Sequence, residues 1–359
     1  MPARPAYAEL HAWSNFSFLE AASHPEELAR AAAELGLAGC ALTDRDGLYG
    51  AVRFAKAARG FGLPALCGTE LTLEEADAPL IGRRRAALPA AEVPTQTARL
   101  VLIAANDDGY ANLCELISLA QLRGRKRDPR ARLADLEGRT NGVIALSGGP
   151  NGLIERALKA HDEQAARAIA TRLRDLFGDR FYLELQHHLQ PQDGALIQAM
   201  IELSRKLDLP YVATNGVAYV DQNDARLCDV LTCIKYRTSL ANADTLLAPN
   251  AERRLKSATQ MAQLFADYPQ AVHNTLAIVE RCPFRLEKLA GQFPLFPLPA
   301  TETSPQSYLR TLVYRGARTR YPWPLASAIE RQIEYELGIV ARMDLAGYFL
   351  VVWDIVRAA

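Results

Sequence analysis

Apolar residues along this chain come in short runs, and most runs stop at a polar group. The first three of strand length, Ala8 to His11, Gly39 to Asp44 and Pro64 to Leu71, deliver His11, Asp44 and Glu70 where they end. A helical pattern entered at Ser23 separates the first two. Four further runs follow at Arg99 to Ala105, Gly142 to Leu146, Phe181 to Leu185 and Tyr211 to Thr214. Helical stretches alternate with them at Gly109 to Leu122, Leu153 to Phe177 and Gly194 to Leu207, the last placing Leu196, Met200, Leu203 and Leu207 on one stripe. Strand-length runs alternating with helices predict an α/β fold with a parallel sheet. Seven of them predict a closed or nearly closed barrel, with an open doubly wound sheet as the second arrangement. Active groups gather at the carboxyl ends of such strands, so a His, an Asp and a Glu converging there point to a hydrolytic metal site.

Elsewhere the pattern changes. Glu74 to Gln96 carries Pro79, Pro89 and Pro94 without periodicity and reads as a loop or hairpin excursion. Beyond the seventh strand come three helical stretches, Ala225 to Ile234, Asn250 to Leu264 and Pro269 to Glu280. Arg285 to Ser304, with Pro294, Pro297 and Pro299, reads as an extended connector into a new unit. A long helix from about Leu325 to Arg342 and an apolar helix from Leu345 to Val356 complete the chain, giving domains at 1–280 and 281–359. An apolar helix with nothing after it to bury it suggests a fragment.

Lys plus Arg and Asp plus Glu both total 41, so global charge offers no steering toward nucleic acid and any such contact has to be local. The local candidate is Arg123, Arg125, Lys126, Arg127, Arg130 and Arg132, with Arg83 to Arg85 as a weaker one. No aromatic residue interleaves with these cations for base stacking, so a solvated loop is the competing reading. The six cysteines show no CxxC spacing and fit reduced, buried thiols in a cytosolic protein. No apolar window approaches the ~18 residues of a membrane span, and the N-terminus has no apolar signal core, which predicts a cytoplasmic protein. Gly148 to Gly152 lacks the Lys-Ser/Thr of a phosphate loop, and Ser147 has no evident His-Asp partners.

Several segments resemble a known family. Leu10 to Ser17 with Ala21-Ala22-Ser23, then Leu42 to Gly50 and Gly68-Thr69-Glu70, are similar to the PHP (polymerase and histidinol phosphatase) domain that opens the bacterial C-family DNA polymerases. Gly109 to Ser118 and Ala213 to Tyr219 fit the same subfamily, and Ala346 to Val356 resembles the start of the polymerase palm. Glu184 to His188 and Asp229 to Ile234 look closest to the error-prone branch of the DNA polymerase III alpha family. The resemblance implies a PHP-type distorted (β/α)7 barrel followed by the mostly helical, incomplete start of a palm.

It also implies a metal cluster, against which the ligand positions can be compared. His11, Asp44 and Glu70 are kept, and Glu20 stands where an Asp is usual. Trp13, Arg45 and Arg99 replace histidines, Gly149 replaces a cysteine, and Gly216 and Ala218 replace an Asp and a His. Gly and Ala offer no side-chain ligand, Trp only donates, and Arg brings a fixed positive charge. The expectation is that no metal is bound, that Arg45 and Arg99 pair with Asp44 or Glu70, and that the pair His187-His188 is structural. No Asp-x-Asp pair occurs from Leu286 to Ala359, so the resemblance places the palm's catalytic acids, and the Mg ions they hold, outside this chain. It further implies an error-prone, translesion DNA polymerase as the parent protein, with DNA, the sliding clamp and accessory mutagenesis proteins as partners. The competing readings are a metal-dependent PHP phosphoesterase or exonuclease using His11, Asp44 and Glu70, and a non-catalytic interaction module.

Overall fold

The computed structural model describes residues 5–74, 97–125, 128–286 and 295–358. Seven strands form one sheet in sequence order: β1 (Ala8–Ala12), β2 (Gly39–Leu42), β3 (Ala65–Glu74), β4 (Thr97–Ala104), β5 (Val143–Leu146), β6 (Phe181–Leu185) and β7 (Tyr211–Ala213). Helices α1 (Pro25–Glu34), α2 (Ala51–Gly60), α3 (Asp107–Arg123), α4 (Leu153–Lys159), α5 (Glu163–Phe177) and α6 (Asp193–Leu207) connect them. Three more follow β7: α7 (Ala225–Tyr236), α8 (Ala258–Leu264) and α9 (Pro269–Arg281).

The sheet closes on itself at one end. Trp13 N donates to Val217 O and Val217 N to His11 O, both at 2.8 Å, joining the end of β1 to the segment after β7. At the other end α9 fills the seam. Asn274 Nδ2 donates to Tyr211 O at 2.7 Å, and Thr275 Oγ1 accepts from Ala8 N at 3.1 Å. Two side chains thereby satisfy backbone groups that a further strand would have paired.

One strand departs from the parallel barrel expected from the alternation. β4 runs antiparallel to both β3 and β5, while the remaining neighbours are parallel. Glu74 pairs with Thr97, so β4 starts at the end of the sheet where β3 finishes. Arg99, near the start of β4, therefore opens onto the same mouth as the carboxyl ends of β1 to β3. The residues read as a loop or hairpin excursion, 75–96 with Arg83 to Arg85, lie outside the described residues.

Two helical expectations are also corrected. The stretch 153–177 is two helices, broken where His161 takes φ +57° and Asp162 caps α5 by accepting from Ala165 N at 2.8 Å. The stretch 250–264 is helical only from Ala258, where Ser257 and Gln260 form a capping box.

Apolar side chains pack on both faces of the sheet. Leu28, Phe54, Leu71, Leu102, Leu113, Phe181 and Met261 belong to the layer between strands and helices. Inside the barrel, Leu10, Leu66, Val101, Ile103, Ile144, Tyr182 and Val212 form a plug to which α9 adds Ile278 and Cys282. The interior faces of the strands continue above this plug as Glu70, Thr72, Arg99 and Glu184, a polar layer at the mouth. Cys40, Cys67, Cys233 and Cys282 are buried free thiols, and Cys114 and Cys228 are half-buried ones.

Packing divides the chain into two compact units, Met1–Leu289 and Ala290–Ala359. The second contains α10 (Pro305–Arg320), α11 (Ser327–Arg342) and α12 (Ala346–Ala358) around Leu309, Leu337, Ala346 and Leu350. Helix α10 was absent from the sequence expectation, although Ser304 followed by Pro305 is a helix-start signature. Ser304 Oγ accepts from Ser307 N at 3.1 Å. No described helix is long and apolar enough to cross a membrane.

Candidate functional site

The mouth of the barrel is organised around His11. Strict alternation would turn His11 away from the face that carries Leu10, but the β1–β2 register shifts between Glu9 and Ala12. Such an irregularity re-aims a side chain, and here it turns the imidazole inward. His11 Nδ1 donates to Glu184 Oε1 at 2.7 Å, and Nε2 stands 3.5 Å from Glu70 Oε1. All three residues are almost fully buried. Burial alone would lower the His11 pKa, but the two carboxylates outweigh it and push it up to about 10. The imidazole is therefore a cation at neutral pH.

Glu184 is the hub of this layer. Its Oε1 also accepts from Gln186 Nε2 at 2.8 Å and from the Thr214 hydroxyl, and its Oε2 from Gly148 N at 3.1 Å. Burial would raise its pKa, yet His11 and these donors hold the carboxyl below its ordinary range. Glu70 is held well below that range too, because Arg45, His11 and Arg99 together overcome the effect of burial. Arg45 Nε donates to Glu70 Oε2 at 3.1 Å, and Arg99 Nε lies 3.8 Å from the same oxygen.

The other sequence-predicted residues separate into those that join this network and those that do not. Asp44 lies outside it, contrary to the expectation that it shares the site. Its carboxylate accepts from Ser14 N and Ser14 Oγ at 2.7 Å and from Ser17 Oγ at 2.8 Å, fastening the 14–17 turn. Glu20 pairs with Arg45 and, at 2.6 Å, with Lys235. Gly149 and Gly216 have positive φ, and a Cβ at either would meet the Gln186 side chain, at 2.6 and 2.8 Å. One glutamine thus fills the space beside both glycines. Trp13 packs with Ala218, the small residue making room for the large one. Arg253 and Arg45 lie over the Trp13 ring at 4.5 and 5.6 Å.

A model of the PHP domain matches residues 9–188, half of the chain and all but one strand of the barrel. The chain belongs to the PHP domain family. Residues 307–359 match a second model, the bacterial DNA polymerase III alpha NTPase domain. The chain is 34% identical over 99% of its length to DNA polymerase III subunit alpha of Treponema pallidum. It is 39% identical over 98% of its length to the error-prone DNA polymerase of Mycobacterium bovis. It spans 30% and 32% of these two relatives, about a third of each. A solved amidohydrolase from Chromobacterium violaceum is 19% identical at a TM-score of 0.37, covering 59% of this chain and 88% of that one.

The PHP barrel holds further groups that strand ends alone did not reveal. Glu9 is buried between Tyr7 OH at 2.9 Å, His11 N at 2.9 Å and Asn215 N at 3.1 Å, and burial pushes its pKa up to about 7 despite those donors. Glu155 accepts from the Ser147 hydroxyl, and burial pushes it up to about 8. Glu9 and Glu184 interrupt apolar strands in the sequence, which is the signal that could have found them. Of His187 and His188, only His188 is buried at the mouth, its Nε2 2.8 Å from Asn215 O. Burial pushes its pKa down to about 4, so it donates as a neutral ring.

In the basic segment, Arg123 pairs with Asp135, Arg130 with Asp128 at 2.6 Å and Arg132 with Glu74 at 2.9 Å. Arg125 is exposed, and Lys126 and Arg127 lie outside the described residues.

Proposed function

We propose that this chain is the N-terminal part of an error-prone DNA polymerase, in which the PHP barrel has exchanged a metal cluster for a charged network and acts as a scaffold. The observation that carries the reading is the engagement of His11. Both ring nitrogens face carboxylates, Nδ1 at 2.7 Å from Glu184 and Nε2 at 3.5 Å from Glu70, and Glu70 is claimed by two guanidiniums. Residues so arranged do not fit a divalent cation. A metal at Glu70 would lie beside Arg45 and Arg99, and Gln186 fills the space next to Gly149 and Gly216 where further ligands would stand. Guanidinium and imidazolium supply the positive charge that balances these carboxylates.

In the parent polymerase, template-directed synthesis would use Mg ions held by palm acids outside this chain, during translesion repair in the cytoplasm, with the sliding clamp and accessory mutagenesis proteins as partners. The similarity of residues 307–359 to polymerase III alpha supports this reading. Primer extension tests it. The full-length gene product is expected to extend a primed template with Mg, and the 359-residue chain alone is not. Release of phosphate from a generic phosphoester by this chain, dependent on Mn and abolished by Glu70→Gln, would instead establish the phosphoesterase reading.

A further inference from the structure

The basic segment lacks aromatic residues in sequence, but the fold supplies them from elsewhere. A cavity of about 500 Å³ is lined by Phe16, Phe18 and Tyr49 together with Gln121 and Pro129, and its charged lining is engaged within the protein, Glu20 by Arg45 and Lys235 and Asp46 by Thr72. Pro129 lies inside the segment 123–132, and Gln121 precedes it on α3. Gln121 Nε2 donates to Asp46 O at 3.0 Å, tying the end of α3 to the turn that leads to Tyr49. The two rings at the rim are open to solvent, Phe18 at 71% exposure and Tyr49 at 62%. Arg53 sits over the Phe16 ring at 5.7 Å.

Two large aromatic rings facing water beside a basic loop are what an extended polyanion with flat bases would recognise. Segment 123–132 holds six cations and the single acid Asp128, in a chain whose charges cancel overall. We propose that this surface binds single-stranded DNA, with bases stacking on Phe18 and Tyr49 and phosphates tracking past the exposed Arg125. Stacking tolerates any base, so the contact is not sequence-specific. The choice of DNA rests on the polymerase reading, but the binding itself requires no catalysis.

The test is fluorescence anisotropy of a labelled oligo(dT) of ~12 nucleotides with the 359-residue chain at about 50 and 200 mM salt. Phe18→Ala with Tyr49→Ala is expected to weaken binding about tenfold or more, and an abasic strand to bind the unaltered protein equally poorly. Phe18→Trp with Tyr49→Trp keeps a stacking surface and is expected to retain affinity. Arg125→Ala is expected to weaken binding and to reduce the slope of log affinity against log salt by about 0.7. Both rings are exposed, so an unchanged melting temperature shows that the alanine variant is folded. Unaltered affinity in that variant, equal binding of the abasic strand, or no binding at the lower salt, as for a surface that docks protein instead, would overturn the proposal. Binding that follows the expected pattern without primer extension by the full-length product would reject the polymerase reading while leaving this one standing.

Discussion

Glu184→Gln is expected to destabilise the barrel by about 3–5 kcal/mol, because it removes one partner of a buried ion pair and leaves the His11 charge less compensated. The loss is larger than that of a surface pair for a geometric reason. Glu184 accepts from His11, Gln186, Thr214 and Gly148 at once, and an amide nitrogen in place of either oxygen would face donors. In thermal unfolding this corresponds to a fall of about 10 °C for a unit of this size. His11→Gln in the same background should cost less than it does alone, since the double variant no longer buries an unpaired charge. A Glu184→Gln protein that melts within about 1 °C of the parent would show that the pair contributes little to the fold.

Thermal stability is expected to peak between about pH 4.5 and 6.5 and to fall by roughly 5–10 °C toward pH 9. His11 has a folded pKa of about 10 against an ordinary 6.5, so its contribution is complete below 6.5 and drains away as pH rises through 10. Glu9 and Glu155, pushed up from 4.5 to about 7 and about 8, act in the same direction. The folded protein keeps protons there that the unfolded chain releases, and stability declines across that window. Glu70 and Glu184 are depressed and act oppositely, their contribution being present above the ordinary carboxylate pKa and lost as pH falls. Glu155→Gln should flatten the limb between pH 5 and 8 without moving the acid limb. A profile that rises steadily from pH 6 to 9 would contradict the charge states assigned to the mouth.

Much of this architecture was legible in the sequence, and the residues that escaped did so for identifiable reasons. Strand positions followed from apolar runs, and His11 and Glu70 from where those runs stop. Strand direction did not, because an alternation of period two reads the same both ways, and only the pairing of Glu74 with Thr97 reveals that β4 is reversed. That reversal brings Arg99 to the mouth. Asp44 stands at the end of an apolar run in the sequence as His11 and Glu70 do, but Ser14 and Ser17 lie closer and satisfy it. Gln186 escaped because its role is to fill space left by Gly149 and Gly216, a relation between three distant positions that no local pattern encodes. Arg253 falls in a stretch whose composition suggested a helix, and its place over Trp13 depends on the fold alone.

Charge from the protein is expected to stand in for charge from metal at the barrel mouth. Elemental analysis of the 359-residue chain, dialysed after incubation with Mn and Zn, tests it most directly. Well under one metal ion per chain is predicted, with no shift in melting temperature on adding either metal and none removed by a chelator. One or more equivalents of bound metal, lost in the His11→Gln variant, would contradict it.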